Sequence, residues 1–263
     1  MKSFKHTKSP LKSKLLNKSL SIGSWLTIPH QNVIEILATA GFEWLTIDIE
    51  HSAIDIQTVQ NLIGHIQANG MEALVRVSKN DEVIIKRVMD AGANGVIVPM
   101  VKNIEEAKQA VSYVKYPPFG NRGVGLSRAQ HYGIGFKSYK NWVQKESVVI
   151  VQVEHIDSVT NLQGILDVDG VDGIIVGPYD LSASMGKPGL FDDKDVKEVL
   201  QEIDRTTIAK EKVLGFHVID SSHLKMLEKI HKGYSFLAYS LDFFFLGDKA
   251  REEMKLLRNK LKI

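Results

Sequence analysis

The stretch Val171-Asp172-Gly173-Ile174-Ile175-Val176-Gly177-Pro178-Tyr179-Asp180-Leu181-Ser182-Ala183-Ser184-Met185-Gly186 decides how the chain folds. It runs as an apolar segment of strand length, breaks at Gly177-Pro178, meets an acid at once, and continues in small residues able to start a helix. A short apolar run bounded by turn residues is what a strand buried on both faces looks like. An acid at the end of such a strand is costly unless it is paired or binds a metal. At a helix start, the N–H groups of Leu181 and Ser182 are free donors suited to an anion. Asp180 reads equally as an N-cap for the next helix. The stretch alone leaves both readings open.

The same strand-then-helix unit recurs on both sides. Upstream, Ser21–Thr27, Trp44–Ile49, Met71–Val77, Asn94–Pro99 and Ser147–Glu154 read as strands, and Lys212–His217 and Phe236–Tyr239 follow downstream. Helices are expected at Val33–Thr39, Asp55–Ala68, Asp81–Met89, Asn103–Val114, Ser158–Ile165, Asp195–Glu211, Ser221–Lys232 and Asp242–Leu261, most of them opened by Asp, Asn or Ser or closed by Gly. Tyr116 to Gly135 has no clear period, and the longer stretch Tyr113 to Lys145 reads as a loop or subunit contact. Eight strand–helix units in about 250 residues predict an α/β fold of the (β/α)8 TIM-barrel type. A doubly wound open sheet is the alternative, but no G-x-G-x-x-G follows the first strand.

Composition narrows the function classes. The chain has 263 residues, a formal net charge of +2 and no cysteine. That removes disulfides and thiolate ligands, asks for no nucleic-acid or membrane partner, and leaves His, Asp and Glu for any metal. Residues 1–20 are Lys- and Ser-rich, with Glu35 the first acid, and read as a solvated basic tail whose end forms a short helix. Residues 21–263 are expected to form one barrel domain. No secretory h-region and no apolar run of about 18 residues is present, so a cytoplasmic location is expected.

In such a barrel the chemistry sits at the C-terminal strand ends. Asp48, Glu50 and His51 end the second strand, Arg76 the third, Gln152 and Glu154 the fifth, Asp180 the sixth and His217 the seventh. Glu154 and Asp180 end adjacent strands, about 4.8 Å apart in a sheet. Two carboxylates without a thiolate suit a hard divalent ion. Arg76 cannot ligate a metal but can face an oxyanion, and His51, oriented by Asp48, can shuttle protons near neutrality. This set describes enolate chemistry on a small 2-oxo acid.

Five motifs then resemble one family in order: Asp48-Ile49-Glu50-His51; Val75-Arg76-Val77; Gly95–Val101 followed by Tyr116-Pro117-Pro118-Phe119-Gly120-Asn121-Arg122-Gly123; Val151–Glu154; and Gly177–Ser182. The chain is similar to the HpcH/HpaI family of metal-dependent pyruvate aldolases, which includes 4-hydroxy-2-oxoheptanedioate and 2-dehydro-3-deoxyglucarate aldolases. The resemblance implies that Glu154 and Asp180 bind Mg²⁺, Mn²⁺ or Co²⁺, and that Arg76 sits on the pyruvate oxygen. It implies that His51, paired with Asp48, belongs to the acid/base machinery. Gln152 and the Asp180-Leu181-Ser182 turn would hold pyruvate, with Trp25 among the substrate contacts. It further implies a homo-oligomer, a hexamer built as a trimer of dimers. There the last helix is exchanged with a neighbour and Asp90 approaches an adjacent subunit's site. The substrates would be pyruvate and an aldehyde. Strand seven and the Phe243-Phe244-Phe245 run depart from the pattern and leave the aldehyde open.

Three rivals remain. A Schiff-base aldolase needs a desolvated lysine inside the barrel, and strand six has none. A CoA-ester lyase of the citrate lyase β-subunit type needs a nucleotide groove. A non-catalytic barrel binding 2-oxo acids would betray itself by a missing group, and none is missing.

Overall fold

Alternation of apolar strands with capped amphipathic helices produces a closed barrel of eight parallel strands in sequential order. The structure, a computed structural model, describes residues 6–263. The strands are β1 Ser21–Leu26, β2 Trp44–Asp48, β3 Glu72–Arg76, β4 Gly95–Val98, β5 Val148–Val153, β6 Gly173–Val176, β7 Val213–Val218 and β8 Phe236–Leu241. The helices are α1 Pro10–Leu16, α2 Gln31–Thr39, α3 Ile56–Ala68, α4 Glu82–Asp90, α5 Ile104–Val114, α6 Phe136–Lys145, α7 Ile156–Thr160, α8 Leu162–Leu166, α9 Pro178–Ser184, α10 Lys194–Ala209, α11 His223–His231 and α12 Asp242–Leu261. No helix among the described residues is long and apolar enough to cross a membrane.

Two apolar layers hold the fold. One lies between the sheet and the surrounding helices, with Ile63, Val88, Ile165 and Ile203 packing on the outward strand residues. The other fills the barrel: Trp25, Trp44, Leu74, Ile97, Ile150, Ile175, Val213 and Phe236 project inward from alternate strand positions. Trp44 stacks on Phe236, with ring centroids 4.4 Å apart. Gly23 makes room for that stack, because a Cβ there would overlap the Trp44 indole. The same period of two carries Trp25, Asp48, Arg76, Gln152 and His217 inward at the upper end of the barrel.

The solvated-tail expectation needs correction, since α1 plugs the lower end of the barrel. Leu11 and Leu15, one turn apart, are 2% and 4% exposed and join the inner cluster. Ser9 caps α1 and donates to both Glu72 carboxylate oxygens at 2.7 Å, and the Leu11 N–H adds a third bond at 3.2 Å. Lys12 pairs with Asp172 and donates to the Ser147 carbonyl. The short helix expected here is present, but the lysine-rich composition concealed that its two leucines are part of the core.

Two smaller differences lie elsewhere. The region after Tyr116 contains a 3-10 turn at Arg128–Gln130, and α6 follows it. The helix expected at 158–165 is split into α7 and α8 around Asn161.

Candidate active site

The upper ends of the strands surround a cleft of about 510 Å³ lined by Trp25, Asp48, His51, Arg76, Gln152, Asp180 and His217 among others. Asp48 and Arg76 are opposite each other in the β2–β3 register. The Arg76 guanidinium donates from Nε to Asp48 Oδ1 at 3.0 Å and from Nη2 to Oδ2 at 2.6 Å, a bidentate pair. Its Nη1 lies 3.2 Å from Glu50 Oε2. Burial works to raise Asp48, but the Arg76 charge and hydrogen bonds outweigh it and hold the carboxyl below its usual range. Arg76 is therefore a fixed cation, and its Cζ lies over the Trp25 ring, 5.4 Å from the centroid.

This pairing corrects the role given to Asp48. Its carboxylate does not touch the His51 ring. It reaches His51 through the backbone, accepting the N–H groups of Glu50 at 3.0 Å and His51 at 3.3 Å in a tight turn. The His51 ring is 64% exposed at the rim, with Nε2 3.8 Å from Glu50 Oε2. Glu50, named at the strand end but given no role from sequence, stands between Arg76 and His51.

Opposite lies the carboxylate side. Glu154 is 2% exposed, and its Oε1 accepts the Met100 N–H at 2.7 Å. Its Oε2 accepts from the Gln152 amide. Gly177 lets this arrangement form, because a Cβ there would sit 2.8 Å from Glu154 Oε2. Burial pushes Glu154 and Glu50 up to about 7, reinforced on Glu154 by the charges of Glu50 and Asp180 and on Glu50 by those of Asp48 and Asp180. Asp180 is exposed and lines the cleft. It is the third residue of α9, behind Gly177 at the N-cap and Pro178 at the first position, so it does not cap the helix.

The turn differs from expectation in a second way. The Leu181 N–H is used, donating to the Gly177 carbonyl at 3.0 Å. Ser182 is buried; its hydroxyl donates to the Tyr179 carbonyl and accepts from Gly189. Neither side chain lines the cleft. The unpaired N–H groups of this turn belong to Tyr179 and Asp180. Asp90 is not brought to this cleft. It ends α4 and pairs with the buried Arg122 guanidinium at 2.7 Å.

The donor set fits a hard divalent ion. The Asp180 charge raises the proton affinity of both Glu50 and Glu154, and Glu50 Oε2 is buried without a hydrogen bond. Among the described residues no group of three or more His, Cys, Asp or Glu side chains is arranged as a complete metal cage. A cation here would be held by Glu154 and Asp180 and keep positions for water and substrate oxygens, as Mg²⁺ sites commonly do. Among the described residues no lysine lines the cleft, which tells against the Schiff-base rival.

Residues 21–244, including every strand of the barrel and all the rim residues above, match the HpcH/HpaI aldolase/citrate lyase family. The chain belongs to that family. A 2-keto-3-deoxy-L-rhamnonate aldolase from Klebsiella pneumoniae is 37% identical over 237 residues, covering 89% of this chain and 87% of that one. A 2-dehydro-3,6-dideoxy-6-sulfogluconate aldolase from Pseudomonas putida is 33% identical over 249 residues, covering 94% and 96%. The crystal structure of an HpcH/HpaI family protein from Burkholderia cenocepacia superimposes with a TM-score of 0.89 at 29% identity, covering 95% of this chain and all of that one. This HpcH/HpaI protein is thus an α/β barrel lyase of the aldolase type.

Two sets of cleft residues escaped the sequence reading. His217 was placed at a strand end but given no role. Phe243 and Phe244 stood out only as an aromatic run, and their place on the cleft wall depends on the turn from β8 into α12.

Proposed function

We propose that the protein cleaves a 4-hydroxy-2-oxo acid of the 2-keto-3-deoxy sugar acid type, reversibly, to pyruvate and an aldehyde. The observation that carries this reading is a fixed guanidinium in a cleft that Asp180 also lines, with the buried Glu154 carboxylate near enough to act on that guanidinium electrostatically. Held by Glu154 and Asp180, Mg²⁺, Mn²⁺ or Co²⁺ would supply Lewis acidity toward the 2-oxo group. Gln152 and the free N–H groups of the α9 turn bind the oxo-acid end. His51 takes the proton of the C4 hydroxyl, the C3–C4 bond breaks, and its electron pair moves into the C2–C3 enolate as the aldehyde leaves. Arg76 holds the negative charge that develops on the C2 oxygen, and His51 returns the proton it took to C3 to give pyruvate. The two named relatives act on 2-keto-3-deoxy sugar acids, which supports the same substrate class here.

The test is exchange of the pyruvate C3 protons in D₂O with Mn²⁺ and no aldehyde. The wild type should exchange, and His51→Ala should slow it by about 10²–10⁴, the usual worth of a general base. A wild type that leaves pyruvate unlabelled would sink the aldolase reading. Wild-type exchange in His51→Ala would move the base elsewhere.

We also infer a homo-oligomer, a hexamer built as a trimer of dimers with α12 exchanged. Support comes from α12 itself: Asp242 is its one buried residue, while Leu246, Met254, Leu257 and Leu261 lie exposed along it. Asp90, remote from its own cleft, is then available to a neighbour's. The cytoplasm, where pyruvate is made and used, is the location this reaction suits.

A further inference from the structure

Two indoles occupy successive layers of the barrel interior and are held in different ways. Trp44 stacks on Phe236, and its Nε1 donates to the Ser21 hydroxyl at 2.8 Å. Trp25 pairs with Thr46 in the β1–β2 register, one layer nearer the cleft. It is 1% exposed, and its Nε1 is buried with no hydrogen bond among the described residues. There, then, nothing polar sets the turn of the Trp25 ring. What meets it flat is His217, with centroids 4.4 Å apart and planes at 17°. Over the same indole lies Cζ of Arg76.

Of the stacked pair, His217 is the member that is pinned. Its Nε2 lies 3.0 Å from the Ser240 carbonyl oxygen, and a carbonyl can only accept, so Nε2 carries the proton. That carbonyl is placed by an irregularity of β8. Pairing with β1 runs from Gly23 with Ala238 to Trp25 with Leu241, so β8 carries an extra residue opposite Ser24. Ser240 stands in this bulge with φ +53°, the left-handed region that is costly for any residue with a Cβ. It is completely buried, and its hydroxyl donates to the Ile219 carbonyl at 3.0 Å. A strained residue persists only where its surroundings over-determine it, and such residues cluster at functional sites. Burial above all, with the Arg76 charge working the same way, lowers His217 to about 4, so the ring is a neutral plate near the guanidinium.

We propose that His217 is a positioning residue for Arg76: anchored on the bulged Ser240 carbonyl, it backs the Trp25 indole, and the indole holds the guanidinium where the enolate charge develops. Asp48 and Glu50 take the polar groups of Arg76, and Trp25 supplies the ring that a cation prefers to lie over. The inference rests on the aldolase reading, in which Arg76 carries the developing charge, and adds to it the residues behind that arginine.

The experiment measures kcat and KM for pyruvate C3 exchange, with Mn²⁺, in His217→Ala and His217→Phe, and repeats His217→Ala in an Arg76→Ala background. His217→Ala should lower kcat by roughly three- to thirtyfold, the span of one cation–π contact. KM for pyruvate should stay within about twofold, since the lost contact acts on the developing charge. His217→Phe keeps a flat ring against Trp25 and should restore kcat to within about threefold of wild type. In the Arg76→Ala background His217→Ala should cost nothing further, because effects carried through one residue do not add once it is gone. An equal loss in both backgrounds overturns the proposal, as does a loss shared by His217→Phe or one confined to KM. Near-ultraviolet circular dichroism of metal-free protein gives a second readout. His217→Ala should alter the tryptophan signal while the far-ultraviolet spectrum is unchanged, and an unaltered near-ultraviolet spectrum overturns the backing of Trp25. Should His217→Ala not fold, His217→Leu, which fills the volume without a flat face, takes its place in every arm. Wild-type exchange with equal losses in the two backgrounds defeats the positioning role alone, whereas no exchange in the wild type defeats the aldolase reading and this one together.

Discussion

Arg76 is held along one edge by Asp48 and near its remaining amino group by Glu50, so it reaches the cleft already oriented. A cation fixed before substrate arrives costs no reorganisation when charge develops. Arg76→Ala is expected to lower kcat by about 10²–10³, the usual worth of one oxyanion donor. Arg76→Lys should not restore it, because a point charge cannot keep the two-pronged contact with Asp48. Steady-state kinetics decide the point: a change confined to KM would make Arg76 a uniform binding residue. Sequence reading found Asp48 and Arg76 separately, as strand ends. It could not find their pairing, because the register between neighbouring strands is not written in either one. The plausible local partner, His51, was therefore given to Asp48. His217 escaped for a related reason: a lone histidine on an apolar strand declares nothing until Trp25 and Ser240 are seen around it.

Among the elements, α1 carries the clearest consequence for stability. Leu11 and Leu15 are packed against the lowest layer of the barrel interior. Leu11→Ala or Leu15→Ala should each destabilise the fold by about 2–5 kcal/mol, the range for a buried leucine that leaves a cavity. Urea denaturation checks this, and a loss below about 0.5 kcal/mol, as for an ordinary surface site, would mean that α1 is only loosely attached. The eight strands and most helices were legible because each carries its own period and cap: Asp55, Asp81 and Asn103 all cap the helices they were expected to open. α1 was expected as a short helix at the end of the tail, but its burial was not, because Lys12 and Lys14 give it the look of a surface segment while Lys12 is spent on Asp172 and a buried carbonyl. The i, i+4 spacing of Leu11 and Leu15 was the available signal. α6 was missed beside a glycine- and aromatic-rich stretch that hides its start.

At the scale of the whole molecule, the buried carboxylates make stability depend on pH and on metal. Glu50 and Glu154 sit at about 7 in the fold against an ordinary 4.5, so the folded protein binds protons that the unfolded chain has released. Their contribution is fully present below about 4.5 and is lost as pH rises through 7. His217 works the other way, contributing above 6.5 and losing that contribution as pH falls toward 4. Metal-free protein should therefore lose Tm as pH rises from about 5 to 7.5, and Mn²⁺ should raise Tm more at pH 8 than at pH 6. A calorimetric scan with and without chelator tests this, and a metal effect independent of pH would place the ion away from these carboxylates. The plug formed by Leu11 and Leu15 also governs traffic. With the far end of the barrel stoppered, both fragments must leave by the doorway through which their parent entered. The fragment lodged deeper, against Gln152 and Glu154, is blocked until the outer one has gone. The aldehyde should thus depart first and pyruvate last. Pyruvate should then inhibit cleavage competitively with the parent acid, and the aldehyde noncompetitively. The reverse pattern would mean a second exit.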